Sequence, residues 1–376
     1  MQPMQKRKYL FYTYALVDGG AERVWATIAS EFARRGHDVT FVIDYDAGIE
    51  PLELHPAVHR VTLGGSHVTT VRRLSALLQT LRPDVAFGAV AGSDLKLVLA
   101  RVLARVPTRL IISYHGLLEH KTGWLSWLTH ITVPVLSRVA DRTVCVSEGL
   151  KRILIQRWHS APAYTVCVHN PVVVPDAASG ASRDDLQRRP NAIVAVGRLV
   201  PEKGFDLLIR AMSRLQAADA TLTILGEGPE RPRLEALIRD LKLEQRVTLA
   251  GFQRDIWSYL DRAKCFAHAA YSEAFGLVIA EALARGLPVV AVASDGPGEI
   301  INDAALGVIV PIGDVPALVV AIDAALMHPG DPVPRVARAA EFSLARGVNA
   351  YQKLADVVLA GRRTTDAASA KVSTAT

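Results

Sequence analysis

Two rhythms alternate along the first half of the chain. Short, almost uninterrupted apolar runs cover residues 9–14, 38–43, 60–63, 85–90, 109–113, 142–146 and 164–168. Between several of them lie longer stretches, 21–35, 71–81 and 95–104, whose apolar residues recur every three or four positions. The first kind predicts strands buried on both faces, and the second predicts amphipathic helices. Their alternation predicts a parallel sheet covered by helices on both sides. The rhythm breaks after Pro171 in a stretch rich in proline, alanine, serine and glycine, so 173–190 reads as a linker. It then restarts, with strands over 191–196, 221–225, 247–250, 265–269 and 288–292. Helices are predicted over 204–216, 230–241, 256–263, 275–285 and 315–327. The expected architecture is therefore α/β, with doubly wound parallel-sheet domains over 1–172 and 191–340 facing each other across a cleft. A helix within 341–361 is expected to pack back on the N-terminal domain, and the small, polar end, 362–376, to be disordered.

The chain has 376 residues, which suits two domains rather than one, and half of them are hydrophobic. Three cysteines, Cys145, Cys167 and Cys265, stand in apolar contexts without metal-ligand spacing and read as free buried thiols of a reducing compartment. No secretory signal or membrane-spanning run is recognisable, so a cytoplasmic location is expected. Charge changes the picture further. Residues 1–170 hold 20 Lys and Arg against 13 Asp and Glu, a net of +7, whereas the remainder holds 23 against 24, a net of −1. An anionic membrane surface or acceptor fits that bias, as do ordinary solvated helices. Nucleic acid is not expected as a partner, because no basic-aromatic array or known binding module is present.

Five loops carry candidate chemistry. Glu273 and Glu281 stand eight residues apart, a little over two helical turns, so both carboxylates can project toward one ligand. Between them, Phe275, Gly276 and Leu277 offer backbone N–H groups at a helix start, which suits a phosphate. Arg198 and Lys203 flank the loop after the strand at 191–196, where two cations can bind a diphosphate and stabilise it as a leaving group. Leu225-Gly226-Glu227-Gly228-Pro229 ends the neighbouring strand in a tight turn. In the first half, Gly19 and Gly20 open a helix where backbone can approach a bound group. His115 ends another strand, with an imidazole able to hydrogen-bond a hydroxyl.

In this order, these pieces resemble the family 4 retaining glycosyltransferases, and the match runs from Gly19-Gly20-Ala21-Glu22-Arg23 to Gly307-Val308-Ile309-Val310-Pro311. The resemblance implies the GT-B fold of two facing Rossmann-like domains. It also implies transfer of a hexose or N-acetylhexosamine from a nucleotide sugar, with a UDP-sugar favoured, and no cofactor or metal. By position, it implies that Glu281 holds the ribose and Glu273 contacts the donor sugar. Arg198 and Lys203 would hold the diphosphate, while Phe275, Gly276, Leu277 and Gly226 line the donor site. Gly19 and Gly20 would approach the reacting centre, with His115 on the sugar. The implied acceptor is a glycan or a polyprenyl-diphosphate-linked sugar of cell-surface polysaccharide or lipopolysaccharide synthesis. The chain departs from the family where Pro-Ser commonly precedes the first glutamate, having His268-Ala269-Ala270-Tyr271-Ser272 there. Trp124 and Trp127, beside Lys121, suit either a membrane interface or a helix packed on its own domain. A catalytically silent nucleotide-sugar-binding subunit and a nucleotide-sugar epimerase are the alternative functions.

Overall fold

The computed structural model describes residues 6–16, 19–46, 53–89, 91–116, 124–175 and 182–361, with the side chains of residues 91, 124–128 and 130 outside that description. Residues 176–181 of the linker stretch, the tail 362–376, Asp18, and the Trp124 and Trp127 side chains lie outside the described residues. Two compact units emerge: Met1–Pro171 with Ala345–Thr376, and Val172–Leu344.

The first unit runs β1 (Lys8–Thr13), α1 (Gly20–Arg34), β2 (Asp38–Ile43), β3 (Val58–Thr62), α2 (His67–Leu81), β4 (Val85–Ala89), α3 (Ala91–Ala104), β5 (Arg109–Tyr114), α4 (Trp124–Val139), β6 (Arg142–Cys145), α5 (Glu148–Gln156) and β7 (Thr165–Cys167). Its seven strands are parallel, in the order β3-β2-β1-β4-β5-β6-β7. Burial of both faces explains the near-continuous apolar runs of β1, β2, β4 and β5. Helix α1 turns Val24, Trp25, Ile28, Ala29 and Phe32 inward, and Glu22 in its first turn and Arg34 in its last complement its dipole. Beneath it lies an aromatic core. Phe11 stacks on Phe87 at 4.7 Å between ring centroids, and Trp25 packs on both.

The second unit runs α6 (Arg183–Arg188), β8 (Ala192–Val196), α7 (Phe205–Met212), β9 (Thr221–Leu225), α8 (Arg231–Asp240), β10 (Val247–Gly251), α9 (Trp257–Leu260), β11 (Cys265–His268), α10 (Leu277–Ala284), β12 (Val289–Val292), α11 (Pro297–Ile300), β13 (Gly307–Val310), α12 (Val315–Met327) and α13 (Val333–Ala340). Six parallel strands are ordered β10-β9-β8-β11-β12-β13. Cys265, Ala267 and Ala269 enter the core shared with α7 and α12, so the alternation along β11 turns Phe266 and His268 toward the other face. The last helix, α14 (Leu344–Leu359), belongs from Ala345 onward to the first unit, where Tyr351 lies 5.3 Å from Trp25.

Several local readings change. The stretch 182–190, placed with the linker, carries α6, closed by a capping box in which the Ser182 hydroxyl accepts from the Asp185 N–H and the Asp185 carboxylate accepts from the Ser182 N–H. Helix α10 starts at Leu277, so Glu273 lies in the loop before it. The eight-residue spacing of the two glutamates is therefore not a helical one.

Candidate functional site

In the second unit the strand order reverses between β8 and β11, and ligands of open α/β sheets bind outside the carboxyl ends of strands at such a point. The loops after these two strands carry the charged residues singled out above. After β8 the chain passes Gly197 and Arg198 into a single tight turn, Pro201–Lys203, closed by Gly204 in the left-handed region (φ 61°). The loops after β8 and β9 are knitted together. The Leu199 N–H donates to the Glu227 carbonyl at 2.8 Å, and the Glu230 N–H to the Leu199 carbonyl at 3.0 Å. Gly226 packs its α-carbon directly against the Gly197 carbonyl at φ 146°, leaving no room for a Cβ. Its role in the structure is this close approach.

The loop after β11 is held from two sides. The Tyr271 N–H donates to the Glu202 carbonyl (2.9 Å), and the Glu273 carbonyl accepts from the Gly296 N–H (2.8 Å). Gly276, at φ 97°, then turns the chain into α10 as its N-cap, a conformation that side chains rarely adopt. The Ile279 N–H already donates to the Gly276 carbonyl at 2.9 Å, so the N–H groups of Leu277 and Val278 are the ones left without a carbonyl one turn back, and the helix dipole makes that end attractive to an anion. Phe275 is buried against Phe342, so its ring belongs to the core and only its backbone is available to a ligand.

These loops bring two of the predicted charges into contact. Lys203 Nζ lies 2.6 Å from Oε2 of Glu273, with the side chains 22% and 18% exposed. His268, the last residue of β11, places Nε2 3.4 Å from the same oxygen. Burial opposes ionisation of Glu273, but the Lys203 charge and the His268 hydrogen bond outweigh it and hold the carboxyl well below the usual range. Glu281 is buried one turn inside α10. Arg198 is exposed beside this cluster in sequence and, among the described residues, forms no ion pair.

In the first unit, Gly19 is the extended N-cap of α1, and its carbonyl accepts from the Arg23 N–H at 3.0 Å. Gly20 is the first helical residue. His115 follows β5, and its Nε2 lies 3.0 Å from Ser113 Oγ. Ser113 also reaches the Gly88 carbonyl (2.8 Å), so its hydroxyl links the ring to the backbone of β4. Burial pushes the His115 pKa down to about 4, against a smaller opposing effect of Asn170, so the ring is neutral at neutral pH.

His268 and the exposed aromatics were missed in the sequence. The available signal was a polar histidine ending an otherwise apolar strand five residues before Glu273. Among the described residues four aromatic side chains are strongly exposed, Tyr14, Tyr45, Phe252 and Tyr271, and each follows the carboxyl end of a strand. Large exposed apolar groups placed this way are the expected marks of ligand-facing edges.

Residues 18–174 match the sequence model described as Glycosyltransferase Family 4, and residues 181–341 match that of Glycosyl transferases group 1. A lipopolysaccharide core biosynthesis glycosyltransferase, LpsE of Rhizobium meliloti, is 38% identical over 320 residues, covering 81% of this chain and 85% of that protein. A Campylobacter jejuni N-acetylgalactosaminyltransferase, named as acting on a diphospho-undecaprenol-linked sugar, is 27% identical over 81% of this chain and 86% of its own length. Among solved structures, the apo lipopolysaccharide outer core galactosyltransferase WaaB superposes with a TM-score of 0.75 at 18% identity, covering 93% of this chain and 99% of that one. Anabaena HepE in complex with UDP and glucose gives 0.77 at 21%, over the same shares. At such identities the structural likeness concerns the fold, which is GT-B.

Proposed function

Since this chain belongs to the family 4, group 1 glycosyltransferases, we propose that it transfers a hexose or N-acetylhexosamine from a UDP-sugar, with retention, to a glycan or lipid-linked acceptor of cell-surface polysaccharide synthesis. The observation that carries the donor reading is the gathering of Lys203, Glu273 and the α10 N-terminus beside the β8/β11 switch point. In this reading Arg198 and Lys203 hold the diphosphate and stabilise the charge that grows on it as the glycosidic bond breaks. Glu281 holds the ribose, Glu273 a hydroxyl of the sugar, and the Phe275–Leu277 backbone the phosphate. In the same reading Gly19, Gly20 and the neutral His115 are the first unit's residues for the sugar. Retention follows if the acceptor oxygen attacks on the face the phosphate leaves, with the departing phosphate oxygen taking the acceptor's proton. The two cations supply the charge for which other enzymes use a metal. The names of LpsE and of the undecaprenol-linked relative support the acceptor class. A thermal-shift screen against UDP-, GDP- and ADP-sugars tests the donor: stabilisation by UDP-sugars is expected, and none by any nucleotide sugar would refute the reading.

A peripheral contact with an anionic membrane, at its cytoplasmic face, belongs to the same proposal. No helix of the described residues is long and apolar enough to cross a membrane. Helices α3 and α4 pack side by side and expose Leu99, Val102, Leu103, Ile131 and Val135, each about half exposed or more. Asp94, the one carboxylate of these two helices, is buried, while Arg101 and Arg138 lie among the exposed apolar positions. An apolar face edged by cations and, among the described residues of these helices, free of exposed carboxylates suits a lipid interface. Co-sedimentation with phosphatidylglycerol vesicles, weakened by Val135→Glu and by salt, is the expected result, and no binding at low salt would refute it.

A further inference from the structure

We propose that His268 is a positioning residue for donor-sugar recognition, which with Lys203 engages Oε2 of Glu273 and leaves Oε1 to receive a sugar hydroxyl. The inference rests on the donor reading above and adds to it the atom that reads the sugar and the residue that fixes that atom.

His268 is the last residue of β11, and its backbone is in register with Ala291 of β12, so its position is set by the sheet rather than by a loop. Its side chain is 4% exposed and lies on the sheet face opposite the core shared with α7 and α12. A polar ring buried so deeply in an apolar strand costs stability unless it is hydrogen-bonded. Its bond is made to Glu273, five residues on, where Nε2 faces Oε2. A carboxylate oxygen only accepts, so Nε2 has to carry a proton, while Nδ1 has no hydrogen-bond partner among the described residues.

Lys203 and His268 both approach Oε2 of Glu273, at 2.6 Å and 3.4 Å. Oε1 receives no hydrogen bond among the described residues. Two donors on one oxygen fix the rotamer and orient the other oxygen outward, as supporting groups do for a ligand-contacting side chain. The backbone on either side is held at Tyr271 and at the Glu273 carbonyl, so the side chain has little freedom of its own. Lys203 alone would be a poor clamp, because its flexible stem is also asked to serve the diphosphate. A histidine anchored in the sheet keeps Glu273 in place when Lys203 turns toward phosphate.

The test separates sugar binding from nucleotide binding. Calorimetry on the full-length protein is run with UDP and with UDP-glucose, UDP-galactose, UDP-N-acetylglucosamine and UDP-N-acetylgalactosamine. For His268→Leu, binding of the preferred UDP-sugar is expected to weaken by about tenfold, the size of one lost charge-assisted hydrogen bond, with UDP itself unchanged. His268→Gln, whose amide nitrogen reaches the place of Nε2, is expected to return to within about threefold of the wild type. Equal weakening of UDP and UDP-sugar would overturn the proposal, because His268 would then only support the loop. Unchanged binding of both would overturn it too. A wild type that binds none of these ligands would instead sink the donor reading. In that case nitrogen NMR of the histidine-labelled, ligand-free protein still judges His268. A ring protonated at Nε2, with a resonance that moves in Glu273→Gln, supports the proposal, and a ring protonated at Nδ1 alone refutes it.

Discussion

Replacing Lys203 by methionine removes the cation from a pair whose members are each about one-fifth exposed. Breaking a fully buried pair from one side costs about 3–5 kcal/mol, because a charge stays behind without a partner, whereas an exposed pair contributes only about 0–1 kcal/mol. Here His268 continues to donate to Glu273 and water reaches both side chains, so a cost of about 2 kcal/mol is expected. For a unit of this size that is a fall in melting temperature of about 4–8 °C by scanning calorimetry. Glu273→Gln, which removes the orphaned charge, is expected to recover about 1–2 kcal/mol when added to Lys203→Met. The pH dependence has a fixed sign. Because the fold holds the Glu273 pKa down, the contribution of the pair is complete above the unfolded carboxyl pKa of about 4.3 and disappears as the pH falls below it. Lys203→Met therefore loses less stability on acidification than the wild type. Additive single variants, or a melting temperature unchanged at neutral pH, would refute the ion-pair account. On the proposed donor reading, in which Lys203 holds the diphosphate, turnover is expected to fall in the same variant by far more than the stability change explains.

Glu281→Gln is expected to weaken UDP binding by about tenfold in calorimetry, the size of a lost hydrogen bond to a charged acceptor. Gly226→Ala is expected to cost about 2 kcal/mol or more in urea unfolding, because its Cβ has to displace the backbone of the neighbouring loop. Burial of neutral His115 contributes stability that is complete above its unfolded pKa of about 6.5 and diminishes as the pH falls toward about 4; His115→Gln should flatten the stability profile in that window. Transfer is expected to continue undiminished after dialysis against EDTA, measured as UDP release, and a loss restored by magnesium or manganese would contradict the role given to Arg198 and Lys203.

The two parallel sheets were legible because strands buried on both faces leave an unbroken apolar signature, as in β4 and β12. The loops at their carboxyl ends were legible through glycine and charge. Boundaries were less so. The helix starting at Leu277 was read from Phe275, and its true start depends on Gly276 adopting a left-handed conformation that an apolar pattern does not reveal. Helix α5, with Ser147 as its cap, and α13 went unread because each is short and its neighbours decide its burial. The capping box of α6 was present as Ser182 and Asp185, but it was hidden within a stretch whose composition suggested a linker. The pairing of Lys203 with Glu273 spans seventy residues and depends on strand order, which periodicity does not report.

The return of α14 to the first unit has a consequence for how the protein is made. The first unit reaches Pro171 and is then interrupted for 173 residues, Val172–Leu344, before Ala345 resumes it. At a synthesis rate of about 5–20 residues per second, that interval lasts roughly 10–35 s. Until Tyr351 emerges, Trp25 lacks one of the rings that cover it, while the second unit, continuous in sequence, can already close its core. The part translated first is thus the part completed last, and a nascent chain stalled before Ala345 presents an aromatic surface to whatever chaperone waits at the ribosome.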